Sequence, residues 1–369
     1  MINKRKICII GNVHWSVAMG GIEYQVKLLL EHLKKQNNID LYFVTHDVAD
    51  NYMPEGYKIV KYKNNGRLKK YADFFYIFRL YRILKVLKPD VIYQNGESSL
   101  ISAAAFYSKR YKCNLIWHVA SDSNVVDKRK YFLLRHAHKL LDRKLFKYGA
   151  KIAHHIIVQT NYQKKIVELF NKNAKTHLVR NYHPFPVELP MATKKNQIIW
   201  VANLKLLKRP ELFINLSNCL YKNNIDVNCI MIGSPGIHTS SYQQSLEKKI
   251  NEVPNLFWLN KKPIEVVNDY INESKILVNT SKWEGFPNTY IQAWARETPV
   301  VTLSCDPDSL IKDLGIGICS GNFKKLVDDI SKLLNDDKLR STMGQMAKKY
   351  ALKYHSLDNL AELTSLICN

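Results

Sequence analysis

The sequence predicts an α/β protein of two doubly wound, Rossmann-like domains in tandem, with a ligand-binding cleft between them. Three observations predict it. The chain has 369 residues, 46% of them apolar, which is more than a single hydrophobic core ordinarily supports. Short β-branched runs alternate with longer helical patterns, the rhythm of repeated strand–helix–strand units around a parallel sheet. That rhythm stops at a proline-rich stretch and then restarts, and paired sheets of this kind bind ligands at the carboxyl ends of their strands.

In the first half the pattern places elements at residues 7–10, 22–35, 41–45, 71–87, 91–94, 115–119 and 156–160. The basic start before Ile7-Cys8-Ile9-Ile10 has the outline of a secretion signal. So short an apolar run falls far below a signal core, and a first buried strand is expected instead. The stretch Asn181-Tyr182-His183-Pro184-Phe185-Pro186-Val187-Glu188-Leu189-Pro190 cannot continue a helix or a central strand. It marks the linker. The alternation resumes at residues 198–202, 211–221, 227–232, 256–259, 276–280, 288–297 and 300–303. A final helical pattern covers 339–368. The expected domains are therefore 1–180, a linker at 181–196, 197–345, and a helical segment at 346–369 that packs back on the first domain.

Composition excludes several classes. The seven cysteines are odd in number, scattered, and form no Cys-x-x-Cys pair, which argues against a zinc site or a disulfide framework and for a reducing, cytoplasmic setting. No uncharged apolar stretch approaches the ~20 residues that span a bilayer. The net charge of +23 is one-sided: residues 1–180 carry 33 Lys and Arg against 13 Asp and Glu, and the remainder 22 against 19. An anionic partner for the first half follows. Cationic and aromatic residues recur at helical spacing in 67–88, with Lys69, Lys70, Arg79 and Arg82 among them, and a second basic segment covers 128–151. That combination suits peripheral attachment to an anionic membrane surface. Common RNA-recognition motifs are absent, so nucleic acid is not the expected partner.

The sharpest motif is Ser281-Lys282-Trp283-Glu284-Gly285-Phe286-Pro287-Asn288-Thr289-Tyr290-Ile291-Gln292-Ala293-Trp294-Ala295, directly after an apolar strand. Glycine permits close approach there, and a helix amino end beyond Pro287 presents N–H groups suited to a diphosphate. The stretch resembles the signature of family 4 retaining glycosyltransferases, in which two glutamates separated by seven residues face the donor. Glu284 matches the first glutamate. The second position holds Gln292, a departure that leaves an altered donor site or lost activity open. By resemblance Glu284 contacts donor-sugar hydroxyls and Gln292 the ribose, with Gly285, Phe286, Asn288 and Thr289 lining the donor.

Three more matches support the resemblance. In Ile199-Trp200-Val201-Ala202-Asn203-Leu204-Lys205-Leu206-Leu207-Lys208-Arg209-Pro210, Lys208 aligns with the lysine that neutralises the donor diphosphate, and Asn203 stands where the family has arginine. Gly20-Gly21 opens the first helix and resembles the glycine pair beside the donor phosphate and acceptor. Leu115-Ile116-Trp117-His118 ends a strand in a histidine like the one that lines the donor-sugar pocket.

The resemblance implies a GT-B fold and transfer of a sugar from a nucleotide diphosphate sugar, the donor substrate, to a hydroxyl of a glycan or lipid-linked acceptor in bacterial surface polysaccharide synthesis. It implies retention, no metal and no cofactor, with His118, Glu284 and Lys208 as catalytic residues and no assigned nucleophile. Asp306-Pro307-Asp308 has the Asp-x-Asp form of a metal site, yet the resemblance puts it in a metal-free loop near the donor. His136, His138, His154 and His155 lack the surrounding ligands of a metal site. A GT-B-shaped nucleotide-sugar epimerase, and a noncatalytic membrane or carbohydrate-binding protein, remain as alternatives.

Overall fold

The computed structural model describes residues 4–62, 76–126, 137–186, 193–235 and 241–368. The chain divides into two compact units, Met1–Tyr182 with Asp358–Asn369, and His183–Leu357.

The first unit is built on a parallel sheet of β1 (Arg5–Ile10), β2 (Ile39–Thr45), β3 (Lys58–Lys61), β4 (Val91–Asn95), β5 (Asn114–His118), β6 (His155–Val158) and β7 (Lys175–Leu178). Their order is β3-β2-β1-β4-β5-β6-β7. A parallel sheet is covered on two faces, so its central strands are apolar throughout rather than alternating. On one face Cys8, Ile10, Ile92, Leu115 and Trp117 pack under helices Ile77–Leu87, Ile101–Tyr111 and Ala137–Ile152. On the other, Ile7, Ile9, Tyr93 and Ile116 pack under helices Gly21–Leu33 and Asn359–Cys368. Edge strands β3 and β7 escape the sequence pattern because their charged residues Lys58, Lys61 and Lys175 sit at an open edge, where charge discourages further pairing. Lys69, Lys70 and the segment 128–136 lie outside the described residues, as do 187–192 of the linker.

The second unit repeats the plan with β8 (Gln197–Val201), β9 (Asn228–Ile232), β10 (Leu256–Trp258), β11 (Ile276–Asn279), β12 (Val300–Thr302) and β13 (Gly317–Cys319), ordered β10-β9-β8-β11-β12-β13. In each sheet the strand order reverses once, between β1 and β4 and between β8 and β11. The crevice beyond the carboxyl ends at such a reversal is where open α/β sheets hold ligands.

The helical tail is two helices, not one. Asp337–Tyr354 belongs to the second unit, where Ala347, Tyr350 and Ala351 pack with Trp294. Asn359–Cys368 belongs to the first, where Leu360, Leu363 and Ile367 are buried. The chain thus passes from unit to unit twice, and each passage is pinned. Gln25 holds Tyr182 by three hydrogen bonds of 2.8, 2.9 and 3.2 Å. His183 N donates to His355 O at 2.9 Å, and Asn359 Nδ2 to Arg180 O at 3.2 Å. No helix among the described residues is long and apolar enough to cross a membrane.

Candidate functional site

Two loops leave the reversal point of the second sheet, 202–209 after β8 and 280–287 after β11, and hydrogen bonds stitch them together. Trp200 Nε1 donates to Thr280 Oγ1 at 2.9 Å, and the Thr280 hydroxyl donates to Lys208 O at 2.8 Å. Lys282 N donates to Leu207 O at 2.8 Å. The Arg209 guanidinium donates to Thr280 O at 2.6 Å, Ser281 O at 2.8 Å and Ser304 Oγ at 2.9 Å. Those contacts hold Arg209 at φ +48°, a left-handed conformation that a side-chain-bearing residue adopts only when its surroundings enforce it. Arg209 is a clamp on the loops. Gly233, after β9, has a steric reason to be glycine: a Cβ there would stand 1.7 Å from Ala202 O. It lets the β8 and β9 ends close up behind Asn203.

The stitching brings Lys208 Nζ to 2.5 Å from Glu284 Oε1, with side chains 29% and 14% exposed. These two expected site residues meet, and each remains partly open to solvent. The helix Asn288–Trp294 begins just beyond, capped by Pro287, so Asn288 and Thr289 form its first turn. Other expected donor contacts are placed differently. The Phe286 side chain is 4% exposed and packs at 4.2 Å on the His355 ring and 5.9 Å on Trp294; it belongs to the core, because an aromatic beside buried Gly285 has nowhere else to go. Gln292 is 6% exposed and donates from Nε2 to Asn268 Oδ1 at 2.9 Å. Asp306 accepts from the N–H groups of Ile311 at 2.8 Å and Lys312 at 3.2 Å, which makes it a helix cap.

In the first unit, His118 ends β5 at 1% exposure. Its Nδ1 lies 2.6 Å from Tyr93 Oη, its Nε2 is buried without a hydrogen-bond partner among the described residues, and burial pulls its pKa down to about 3. Asn95 Oδ1, near the end of β4, is likewise buried without a hydrogen-bond partner among the described residues. In the tautomer in which Tyr93 donates to His118 Nδ1, the neutral imidazole carries its hydrogen on Nε2. Gly20 and Gly21 stand at the amino end of helix Gly21–Leu33. A pocket of about 40 Å³ opens beside that helix at the ends of β1 and β4, lined in part by Asn12, Glu23, Asn95 and Glu97. Arg143 holds Glu97 at 2.6 Å. Of the basic-region histidines, His136 lies outside the described residues, His154 Nδ1 accepts from Leu115 N at 3.1 Å, and His155 pairs with His177 at 2.9 Å.

Comparison with known families decides the assignment. Residues 19–182 match the profile of Glycosyltransferase Family 4, and residues 181–350 that of Glycosyl transferases group 1. The chain belongs to the family 4 glycosyltransferases. As a glycosyltransferase of this family it is 22% identical to the amylovoran biosynthesis glycosyltransferase AmsD of Erwinia amylovora, over 91% of this chain and 92% of that one. Its fold is similar to that of the sucrose-phosphate synthase of Thermosynechococcus elongatus, with a TM-score of 0.79 at 15% identity over 98% of each chain. It is also similar to Anabaena HepE in complex with UDP and glucose, with a TM-score of 0.75 at 14% identity over 98% of each chain. The glycosyltransferase fold is GT-B, and its two units are the two Rossmann-like domains of that fold.

Proposed function

We propose that this glycosyltransferase moves a hexose, with retention and without a metal, from a nucleotide diphosphate sugar to a hydroxyl of a glycan or lipid-linked acceptor during assembly of a bacterial surface polysaccharide. The observation that carries the reading is the Lys208–Glu284 pair at the strand-order reversal of the second sheet, where this class of sheet takes its ligand. AmsD acts in amylovoran biosynthesis and HepE binds UDP and glucose, which supports the substrate class.

In this reading the bond between the sugar C1 and the diphosphate breaks with its electron pair on the phosphate oxygen. A bond from C1 to the acceptor oxygen forms, and the acceptor's proton passes to the departing phosphate. Lys208 and the N–H groups of Asn288 and Thr289 stabilise the negative charge that develops there, the term in which catalysis is concentrated. Glu284 accepts hydrogen bonds from donor-sugar hydroxyls. His118, kept neutral, offers its Nε2–H to a sugar oxygen. Gly20 and Gly21 leave room beside the phosphates, while Asn203 and Gly285 bring main chain close to the donor. Phe286 acts by fixing the loop from within the core, and Gln292, whose Nε2 is held by Asn268, keeps its Oε1 to accept from a ribose hydroxyl.

Purified protein heated with a panel of nucleotide sugars tests this, because a ligand bound only by the native state raises the melting temperature. One base and sugar should stabilise selectively, and Lys208→Ala should abolish the shift. No shift with any nucleotide sugar would overturn the reading in favour of a noncatalytic protein.

We further propose a cytoplasmic protein seated on anionic lipid through the first unit. Helices Ile77–Leu87, Ile101–Tyr111 and Ala137–Ile152 pack side by side, and their solvent faces carry Arg79, Arg82, Lys85, Lys109, Arg110, Lys144, Lys147 and Lys151. Phe78 at 78% exposure and Val86 at 80% lie among those cations. No acidic residue occurs in the first two of these helices. Apolar side chains interleaved with cations suit an anionic headgroup layer.

A further inference from the structure

We infer that Glu284 distinguishes the nucleotide sugar from the nucleoside diphosphate left after transfer, by exchanging Lys208 for sugar hydroxyls and taking it back. The inference rests on the donor-site reading above and gives the ion pair a part in product release.

Lys208 and Glu284 are 2.5 Å apart, and among the described residues no other side-chain hydrogen bond engages either charged group. Arg209, next in sequence, by contrast spends its Nε and Nη2 on the oxygens of Thr280, Ser281 and Ser304. Lys208 is therefore a cation able to change partners, and in the free protein its partner is the Glu284 carboxylate. A nucleoside diphosphate arriving alone meets an ammonium already neutralised and a carboxylate of its own sign beside it. Like charges a few ångströms apart at a partly exposed site repel appreciably.

A nucleotide sugar meets a different balance. Its hydroxyls donate to Glu284 and supply the hydrogen bonds that the carboxylate loses when the ammonium turns to the diphosphate. Charge-assisted bonds of that kind are the stronger class. When C1 is transferred, those hydroxyls leave with the acceptor. Glu284 is again without donors, recovers Lys208, and the nucleoside diphosphate is left with a neutralised cation and a neighbouring anion. The same two residues thus hold the substrate and loosen the product.

Calorimetric titration of the full-length protein with UDP, GDP and ADP and with the glucose conjugate of each tests the exchange without an acceptor. In the wild type the sugar nucleotide should bind the more tightly of the pair. Glu284→Gln should tighten nucleoside diphosphate binding about tenfold, as expected for removing a nearby like charge, and bring the two affinities together. Lys208→Gln should weaken both ligands, and adding Glu284→Gln to it should produce no tightening. Glu284→Ser serves in place of Glu284→Gln if the latter does not fold. A nucleoside diphosphate affinity unchanged or weaker in the Glu284 variant, with Lys208→Gln still weakening binding, would overturn the exchange and leave the donor site standing. Absence of binding by all six ligands to the wild type would overturn both.

Discussion

The two sheets share a strand order over six strands, yet the groups at the carboxyl ends of their strands differ in kind. At the end of β5 the first unit presents a histidine at 1% exposure, locked by Tyr93 and held neutral by burial. Beyond β8 and β11 the second presents two opposite charges, each partly exposed and, among the described residues, paired with the other. The outer surfaces reverse the contrast, since residues 1–180 carry nearly all the excess positive charge of the chain. A buried neutral donor is fixed before any ligand arrives, whereas a half-exposed ion pair can be rearranged by one. The common strand plan therefore supports one rigid group and one exchangeable pair.

The largest effect that would break this contrast is at the charged pair. Lys208→Ala should lower turnover about a hundredfold, the scale of losing one electrostatic stabiliser of a leaving anion, and Glu284→Ala should lower it strongly through loss of the hydrogen bonds that orient the donor sugar, with circular dichroism unchanged in both. Wild-type rates in either variant would remove that residue from the mechanism.

The outer surface should respond next. Arg79→Gln, Arg82→Gln and Lys85→Gln combined should weaken binding to anionic vesicles by up to about a hundredfold, since each cation near such a surface contributes about 1 kcal/mol. Binding by the wild type should fall as salt rises and be weak to neutral vesicles. Equal partition of the wild type to anionic and neutral vesicles would defeat electrostatic anchoring.

The smallest effect sharpens the neutral half. Tyr93→Phe removes the proton donor to His118 Nδ1 and should lower kcat about five- to tenfold, the worth of one hydrogen bond, with little change in KM. Because burial takes the His118 pKa from 6.5 to about 3, the folded protein binds fewer protons there than the unfolded chain at acid pH. This share of stability is complete above pH 6.5 and is lost as pH falls toward 3. His118→Gln should flatten that part of the denaturation profile between pH 7.5 and 5; an unaltered profile would show that His118 titrates normally.

Much of this was legible in the amino-acid order, and the exceptions have physical causes. Strands such as Ile7 to Ile10 are apolar on two faces and announce themselves, while β13 is three residues long and too short for any period to show. The tail reads as helical over 339–368 and the break within it does not show; the bond from His183 N to His355 O, which pins that break, comes from a distant part of the chain. At the site, Lys208 and Glu284 were legible because each follows a strand at a family spacing. The separate task of Arg209 was not, since its partners Thr280 and Ser281 lie 71 and 72 residues away. Phe286 reads equally as a ligand contact or a core residue, and only the His355 and Trp294 rings decide it.

The double passage of the chain also determines how the protein can be taken apart. The second unit, His183–Leu357, is one uninterrupted stretch and can be expressed as such, but the first is assembled from two pieces of the gene. A fragment ending at Tyr182 would lack Leu360, Leu363 and Ile367, each fully or nearly fully buried in its core. Losing contacts worth about 1.5–3 kcal/mol apiece and baring the apolar surface beneath them would leave that fragment prone to aggregate. A workable version would supply residues 358–369 as a separate peptide, or join them to the fragment through a flexible linker, and their capture would provide a direct assay for correct folding of the first unit.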